Sequence, residues 1–201
     1  KQILQKLQEG IEQKQFSGII LEDYAKGIFN RSFMQEICDL ACSSDIFISL
    51  DPHPSQLFHV NGLKLMTPNR SEAFALAGLP YKAGINSPTQ DTALLNAAKK
   101  IQNKWQAELL LITLGAEGMA LFQAGCEIPL HIPTRAKQVF DVSGAGDTVM
   151  ATMTLALLAG ASPEEAALLA NAAAGIVVGY VGTTAIDSEK LRKEILLESR
   201  E

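Results

Sequence analysis

The sequence is short of the features that would commit it to a polyanion or a membrane. Basic residues are outnumbered, 17 Lys and Arg against 22 Asp and Glu, for a formal net charge of −5 and a pI near 5.3. Nucleic-acid binders need a basic patch to displace counterions, so a small-molecule partner is expected instead. No run reaches the roughly 18 apolar residues of a membrane span, and no cleavable signal begins the chain. Cysteine is scarce: three residues, an odd number without framework spacing, argue for reduced thiols and a cytoplasmic setting. Cys38 and Cys42 lie four apart on an expected helix. No His or second Cys pair completes a tetrahedral set, so they read as two buried thiols on a core face. His53, His59 and His131 have no metal-binding spacing and read as structural or surface residues. Repeats, low-complexity tracts and Pro/Gly linkers are also missing. One domain is left, 201 residues of which 47% are hydrophobic and 19% charged, enough to bury a core.

What is present is an alternation of two periodicities. Residues 1 to 14 have helical spacing, "SGIILED" (17 to 23) is a buried-strand run, "RSFMQEICDLAC" is helical, and "DIFISLDP" (45 to 52) is β-rich with an Asp-Pro stop. "LKLMTPN" reads as a third strand, residues 69 to 78 and 89 to 105 as helices, and "ELLLITLG" (108 to 115) as a fourth strand. "GMALFQ" and "CEIPLHIP", separated by "AGC", read as a hairpin or meander at a sheet edge. Helices are then expected over 146 to 159 and 163 to 179, the second capped by Ser162 with Pro163 at its first position, and a last one from about Ser188. This order predicts an α/β fold, a mainly parallel sheet with helices on both faces. Asp23, Asp51, Asn69 and Thr113 fall at or just past C-terminal strand ends, the edge where open α/β sheets bind ligands.

"DVSGAGDTVMA" (141 to 151) carries the clearest chemistry. A helix that opens there leaves unpaired N–H groups on its first turn, with a partial positive charge of about half a unit. Gly144, Ala145 and Gly146 lack bulky side chains, so a phosphate could reach those amides. Asp147 in the same turn could accept a proton from a hydroxyl held against it, which suits phosphoryl transfer. Two other nucleotide signatures are excluded. The chain contains no G-x-x-x-x-G-K-[ST], and G-x-G-x-x-G fails at Val149. From spacing alone a second reading stays open, in which the glycines and Asp147 merely cap a helix.

"DVSGAGDT", with "TPNRSE" (67 to 72) and "TLGAEG" (113 to 118), resembles the PfkB/ribokinase-like carbohydrate kinases in order and spacing. Within that family, "LEDYAKG" (21 to 27), "HIPT" (131 to 134) and "ANAAAGIVVGYVGTTAI" (170 to 186) are similar to the kinases of D-glycero-β-D-manno-heptose 7-phosphate in lipopolysaccharide precursor synthesis. The resemblance covers essentially the whole chain. It implies a ribokinase-like fold using ATP and Mg²⁺, with Asp147 as the base that deprotonates a sugar hydroxyl and Gly144, Ala145 and Gly146 as the anion hole. Asn69 and Glu72 match the N-x-x-E element that orders Mg²⁺ and its waters; read without the family, Glu72 is a solvated helix acid. Thr113, Gly115 and Gly118 match the loop that approaches the nucleotide, or form an ordinary turn. Asn171 matches a position lining the adenine pocket, or bonds its neighbours. Asp141 and Ser143 fall where some members bind a monovalent cation. Lys26 could meet phosphate as a point charge, or is a solvated loop lysine.

"DPHP" after the second strand departs from the "DPK" expected of the heptose branch, which weakens substrate contacts near Asp51. The first third of the family's fold, which supplies strands, the β lid and most sugar contacts, has no counterpart. The resemblance therefore implies that residues 1–201 are the C-terminal two-thirds of a sugar kinase domain, with homodimerisation common among lid-bearing relatives. Other sugars, such as fructose phosphate or ribose, and a non-catalytic nucleotide-binding module are the alternatives. No H-x-G-H motif of a fused nucleotidyltransferase occurs in the chain.

Overall fold

In the computed structural model, residues 1–56, 58–84, 87–136 and 138–198 are described. The alternation read from the sequence becomes seven helices and six strands among them: α1 (Gln2–Glu12), β1 (Gly18–Glu22), α2 (Arg31–Ser43), β2 (Phe47–Asp51), β3 (Leu65–Met66), α3 (Arg70–Leu76), α4 (Thr92–Trp105), β4 (Leu109–Thr113), β5 (Met119–Gln123), β6 (Leu130–Ile132), α5 (Ala145–Leu158), α6 (Pro163–Val177) and α7 (Ser188–Glu198). One sheet runs in the order β1-β2-β3-β4-β5-β6. β1 to β4 pair in parallel, while β5 and β6 return antiparallel as an edge meander.

Because strand side chains alternate between faces, the sheet supports two cores. Leu110 and Ile112 of β4 pack with Met34 and Ile37 of α2, Leu76 of α3 and Trp105 of α4. Leu109 and Leu111 of the same strand pack with Met150 and Met153 of α5 and Ala166 and Ala170 of α6. Gly18 lets α5 lie close on β1, since a Cβ there would come within 2.8 Å of Leu158. β1 is an edge strand, and beside it Ile20, Leu155 and Leu158 remain exposed. Among the described residues no helix is long and apolar enough to cross a membrane.

Three expectations need correction. The third strand shrinks from residues 63–69 to Leu65–Met66, and the strand at 126–133 shrinks to Leu130–Ile132. Both lose length at prolines, Pro68 in one and Pro129 and Pro133 in the other, which have no N–H for the ladder. Only an isolated bridge, Asn69 with Thr113, extends the β3–β4 pairing. Of the two cysteines expected to be buried, Cys38 is and Cys42 is exposed. Cys42 sits in the last turn of α2 over bare Gly62, whose carbonyl accepts its thiol proton at 3.5 Å.

Local chemistry explains why the helices start where they do. Ser162 caps α6 with Pro163 in its first turn, as the sequence predicts, and Glu165 completes a reciprocal capping box. Asp91 caps α4 by accepting N–H bonds from Ala93 and Leu94. The turn between β4 and β5, a 3₁₀ segment Gly115–Glu117, needs glycine at both ends for different reasons. Gly115 has φ +59° and open space around it, whereas Gly118 has φ +86° and a Cβ there would overlap the Ile132 carbonyl. We expect Gly115→Ala to cost about 1 kcal/mol and Gly118→Ala at least twice that. Urea unfolding of the two variants checks the ranking; equal losses would mean that the approach to β6 is not what glycine secures.

Candidate active site

Parallel pairing brings the C-terminal ends of β1, β2 and β3 together, and the start of α5 faces them. Asp51, the last residue of β2, has Oδ2 3.9 Å from where a Cβ of Gly146 would stand. Its Oδ1 accepts a hydrogen bond from Thr67 at 3.4 Å. Asp147 lies in the first turn of α5. Tyr24, from the loop after β1, donates its hydroxyl to the Glu22 carboxylate at 3.2 Å and lies near enough to Asp147 to feel its charge. Desolvation, followed by the neighbouring Asp147 and Glu22 carboxylates, raises the phenol above its ordinary value. Tyr24 thus stays protonated, its hydroxyl committed to Glu22 beside Asp147.

Gly144 is the N-cap of α5 at φ +78°, a conformation that glycine adopts without strain. The three amides expected to form an anion hole are not equivalent. Ala145 donates its N–H to the Val142 carbonyl at 3.1 Å, and the Gly144 carbonyl is taken by the Thr148 N–H and hydroxyl at 3.0 and 2.8 Å. Among the described residues no acceptor meets the N–H groups of Gly144, Gly146 and Asp147. Gly144 and Gly146 therefore keep open donors as expected, while Asp147 replaces Ala145 among them, and such a helix terminus favours anions.

The other expected site residues are disposed as follows. Asn69 caps α3, its Oδ1 accepting from the Glu72 N–H at 3.0 Å, while Glu72 Oε2 accepts from the Asn69 N–H at 2.7 Å. Glu72 is half-buried, not a solvated helix acid, because the capping box folds it against the strand ends. Burial raises its pKa, opposed by the Asn69 bonds and by His53 nearby. A direct metal cage is absent, since among the described residues no group of three His, Cys, Asp or Glu could hold an ion. The residues do fit Mg²⁺ carried on nucleotide phosphates and touched through water: Glu72 Oε1 carries no hydrogen bond among the described residues. Thr113 is half-buried at the end of β4, its N–H bonded to the Pro68 carbonyl. Lys26 is exposed on its loop.

Asn171 is 2% exposed, and its amide donates at 2.7 Å to the carbonyl of Pro133, so it pins the segment after β6 to α6. A cleft of about 510 Å³ beside it is lined by Gln138, Phe140, Ala172, Gly175 and Tyr180, among others. Asp141 spends both oxygens on backbone N–H groups, those of Ser143 at 2.9 Å and Gly182 at 3.1 Å, and the Ser143 bond is the main reason its pKa is lowered. Asp23 closes its own turn by accepting from the Ala25 N–H at 2.8 Å. The strand-end position of Asp51 is legible in the sequence. Its seat opposite α5 and the nearness of Tyr24 to Asp147 are not, because both depend on the sheet.

This fold and edge define a class of protein. Residues 15–191 match the pfkB family of carbohydrate kinases, and the chain belongs to that family. Over 177 residues it is 41% identical to the bifunctional protein HldE of Desulfatibacillum aliphaticivorans, covering 88% of this chain and 35% of that protein. Over 181 residues it is 39% identical to the bifunctional protein HldE of Yersinia pestis strain Pestoides F, covering 90% and 36%. The chain thus spans little more than a third of the length of these curated relatives. Among solved structures, the ribokinase of Arabidopsis thaliana complexed with ribose and ATP superposes with a TM-score of 0.74 at 24% identity, over 94% of this chain and 58% of that one. Phosphofructokinase-2 of Escherichia coli in complex with substrates and products gives 0.74 at 24%, over 98% and 62%. These two establish a ribokinase-like fold.

Burial, followed by the charges of Glu72 and Asp147, pushes the Asp51 carboxyl up to about 7, while its bond from Thr67 opposes the rise. A raised carboxyl favours folding while protonated, and that contribution is lost as pH climbs through about 7. Relative to Asp51→Asn, the wild-type chain should lose on the order of 2–3 kcal/mol of stability between pH 5 and 8. Unfolding curves of both proteins across that range check this; parallel pH profiles would contradict it.

Proposed function

We propose that the chain is the catalytic part of an ATP-dependent sugar kinase that phosphorylates the anomeric hydroxyl of D-glycero-β-D-manno-heptose 7-phosphate, giving the 1,7-bisphosphate for ADP-heptose and lipopolysaccharide core synthesis in the cytoplasm. The observation that carries the reading is the first turn of α5, where open N–H groups and the Asp147 carboxylate share one helix terminus. The heptose substrate is supported by the "DYAKG" and "ANAAAGIVVG" segments and by the identity to proteins named HldE.

In this reading Asp147 takes the proton of the sugar hydroxyl as its oxygen attacks the γ-phosphorus. The N–H groups of Gly144, Gly146 and Asp147 meet the charge that builds on the transferring phosphoryl oxygens, and ADP departs. Mg²⁺ on the ATP phosphates supplies charge neutralisation, with Asn69 and Glu72 ordering its waters. Thr113, Gly115 and Gly118 border the nucleotide, and the cleft beside Asn171 suits its base. Lys26 is proposed to meet phosphate as a point charge, and Asp141 to lie beside a monovalent cation.

We propose further that residues 1–201 form the C-terminal two-thirds of the domain. The solved relatives extend well beyond the matched region, and β1 keeps an open edge flanked by exposed Ile20 and Leu155. The chain alone is then expected to bind ATP weakly and to transfer little phosphate, because closure over the sugar excludes water and completes such sites. Robust heptose 7-phosphate phosphorylation by the 201-residue chain would contradict this.

The test of the reading itself is phosphoryl transfer from ATP to heptose 7-phosphate, fructose 6-phosphate and ribose by a chain extended with the upstream third of an HldE relative. Heptose 7-phosphate should give the highest kcat/KM. Asp147→Asn should lose 10² to 10⁴-fold in kcat, roughly 3 to 5 kcal/mol of barrier, since the amide cannot accept the proton. More than about a tenth of wild-type kcat in that variant would remove Asp147 as the base.

A further inference from the structure

Arg70 is the first residue of α3, next to Asn69, and it is buried at 8% exposure. A guanidinium is costly to bury unless its fork is matched, and here it reaches four segments. Nε donates to the Lys82 carbonyl at 2.8 Å, and Nη2 pairs with Asp91 Oδ2. The other Asp91 oxygen caps α4. The guanidinium carbon stands 5.6 Å from the centre of the Phe74 ring. Nη1 is left without a hydrogen bond and faces Glu117 Oε2 at 3.8 Å.

Glu117 belongs to the Gly115–Glu117 turn, and it is gripped from two sides. Its carbonyl bonds His131 Nε2 of β6 at 2.8 Å. Its carboxylate lies against bare Gly84, so closely that a Cβ there would overlap both oxygens. Nothing in the motif spacing of "TPNRSE" or "TLGAEG" requires this link, since the family match in those segments rests on Asn69, Glu72, Thr113, Gly115 and Gly118 and not on Arg70 or Glu117.

We propose that Arg70 is a positioning residue: through Glu117 it fixes the 114–118 turn against α3 and α4 and thereby sets how that turn faces the nucleotide. The nucleotide as ligand rests on the kinase reading above; the link between Arg70 and the turn does not. Glu117→Gln removes the charge that answers Nη1. Gly84→Ala leaves every charge in place but displaces the carboxylate. Arg70→Lys keeps the charge and loses the fork.

The experiment measures three quantities on the 201-residue chain: melting temperature, amide hydrogen exchange at Glu117 and Gly118, and ATP affinity in the presence of Mg²⁺ by calorimetry. Exchange at these two amides reports the turn itself, because they bond Leu114 and Gly115 carbonyls within it. In Gly84→Ala and Glu117→Gln exchange should rise about tenfold at a melting temperature within a few degrees of wild type, and the ATP Kd should rise by about fivefold or more. Arg70→Lys should follow them. Unchanged exchange in both Gly84→Ala and Glu117→Gln overturns the proposal, as does a general loss of protection with a collapsed melting temperature, which would make Arg70 a folding residue only. Raised exchange with an unchanged ATP Kd overturns its ligand half. A wild-type chain that binds no ATP overturns the kinase reading and that half together, and the exchange comparison then judges the link between Arg70 and the turn.

Discussion

Parallel pairing of β1 through β4 is the constraint on which the rest depends. Four strands that run the same way must deliver their C-terminal residues to one edge, and the helices that return between them must begin at that edge as well. Glu22, Asp51, Asn69 and Thr113 arrive together for that reason, and α3 starts among them. α5 starts there too, after the chain has crossed from β6, and it brings Asp147 and the open amides. No single motif forms the site; the sheet direction does.

Crowding acids at one edge has an electrostatic cost, and the local structure shows how it is met. Asp51 is driven toward its neutral form by burial and by Glu72 and Asp147. Glu72 is relieved by its capping bond to Asn69 and by His53, the residue that stands in the "DPHP" departure. Asp147 sits in the first turn of α5. A helix N-terminus favours negative charge by roughly 0.3–1 kcal/mol at exposed positions. The same helix-end charge that favours the Asp147 carboxylate makes the open amides beside it attractive to an anion.

Much of this was legible in the sequence because it rests on local rules. The strand and helix order follows from hydrophobic periodicity, Ser162 and Pro163 announce α6, and the glycines of "DVSGAGDT" announce a turn that opens a helix. The errors came where prolines cut the ladder, at Pro68 and Pro129, and where a helix overran its core, at Cys42. What could not be read was contact between distant segments. Ala145 gives its N–H to Val142, Asn171 reaches Pro133 across 38 positions, and Arg70 meets Glu117 only because the β4–β5 turn folds over α3. Spacing in one segment has no access to the register of another.

The central claim is that the bare first turn of α5 is the seat of the nucleotide phosphates. Calorimetric ATP titration of Gly146→Val beside the wild-type chain, both with Mg²⁺, tests it most directly. A Cβ at Gly146 meets nothing nearer than Asp51 Oδ2 at 3.9 Å, so the fold should survive while the side chain blocks the amides. The account predicts an ATP affinity at least tenfold weaker, about 1.4 kcal/mol or more. A folded Gly146→Val chain that binds ATP as the wild type does would contradict it, and the turn would then be a helix cap and nothing else.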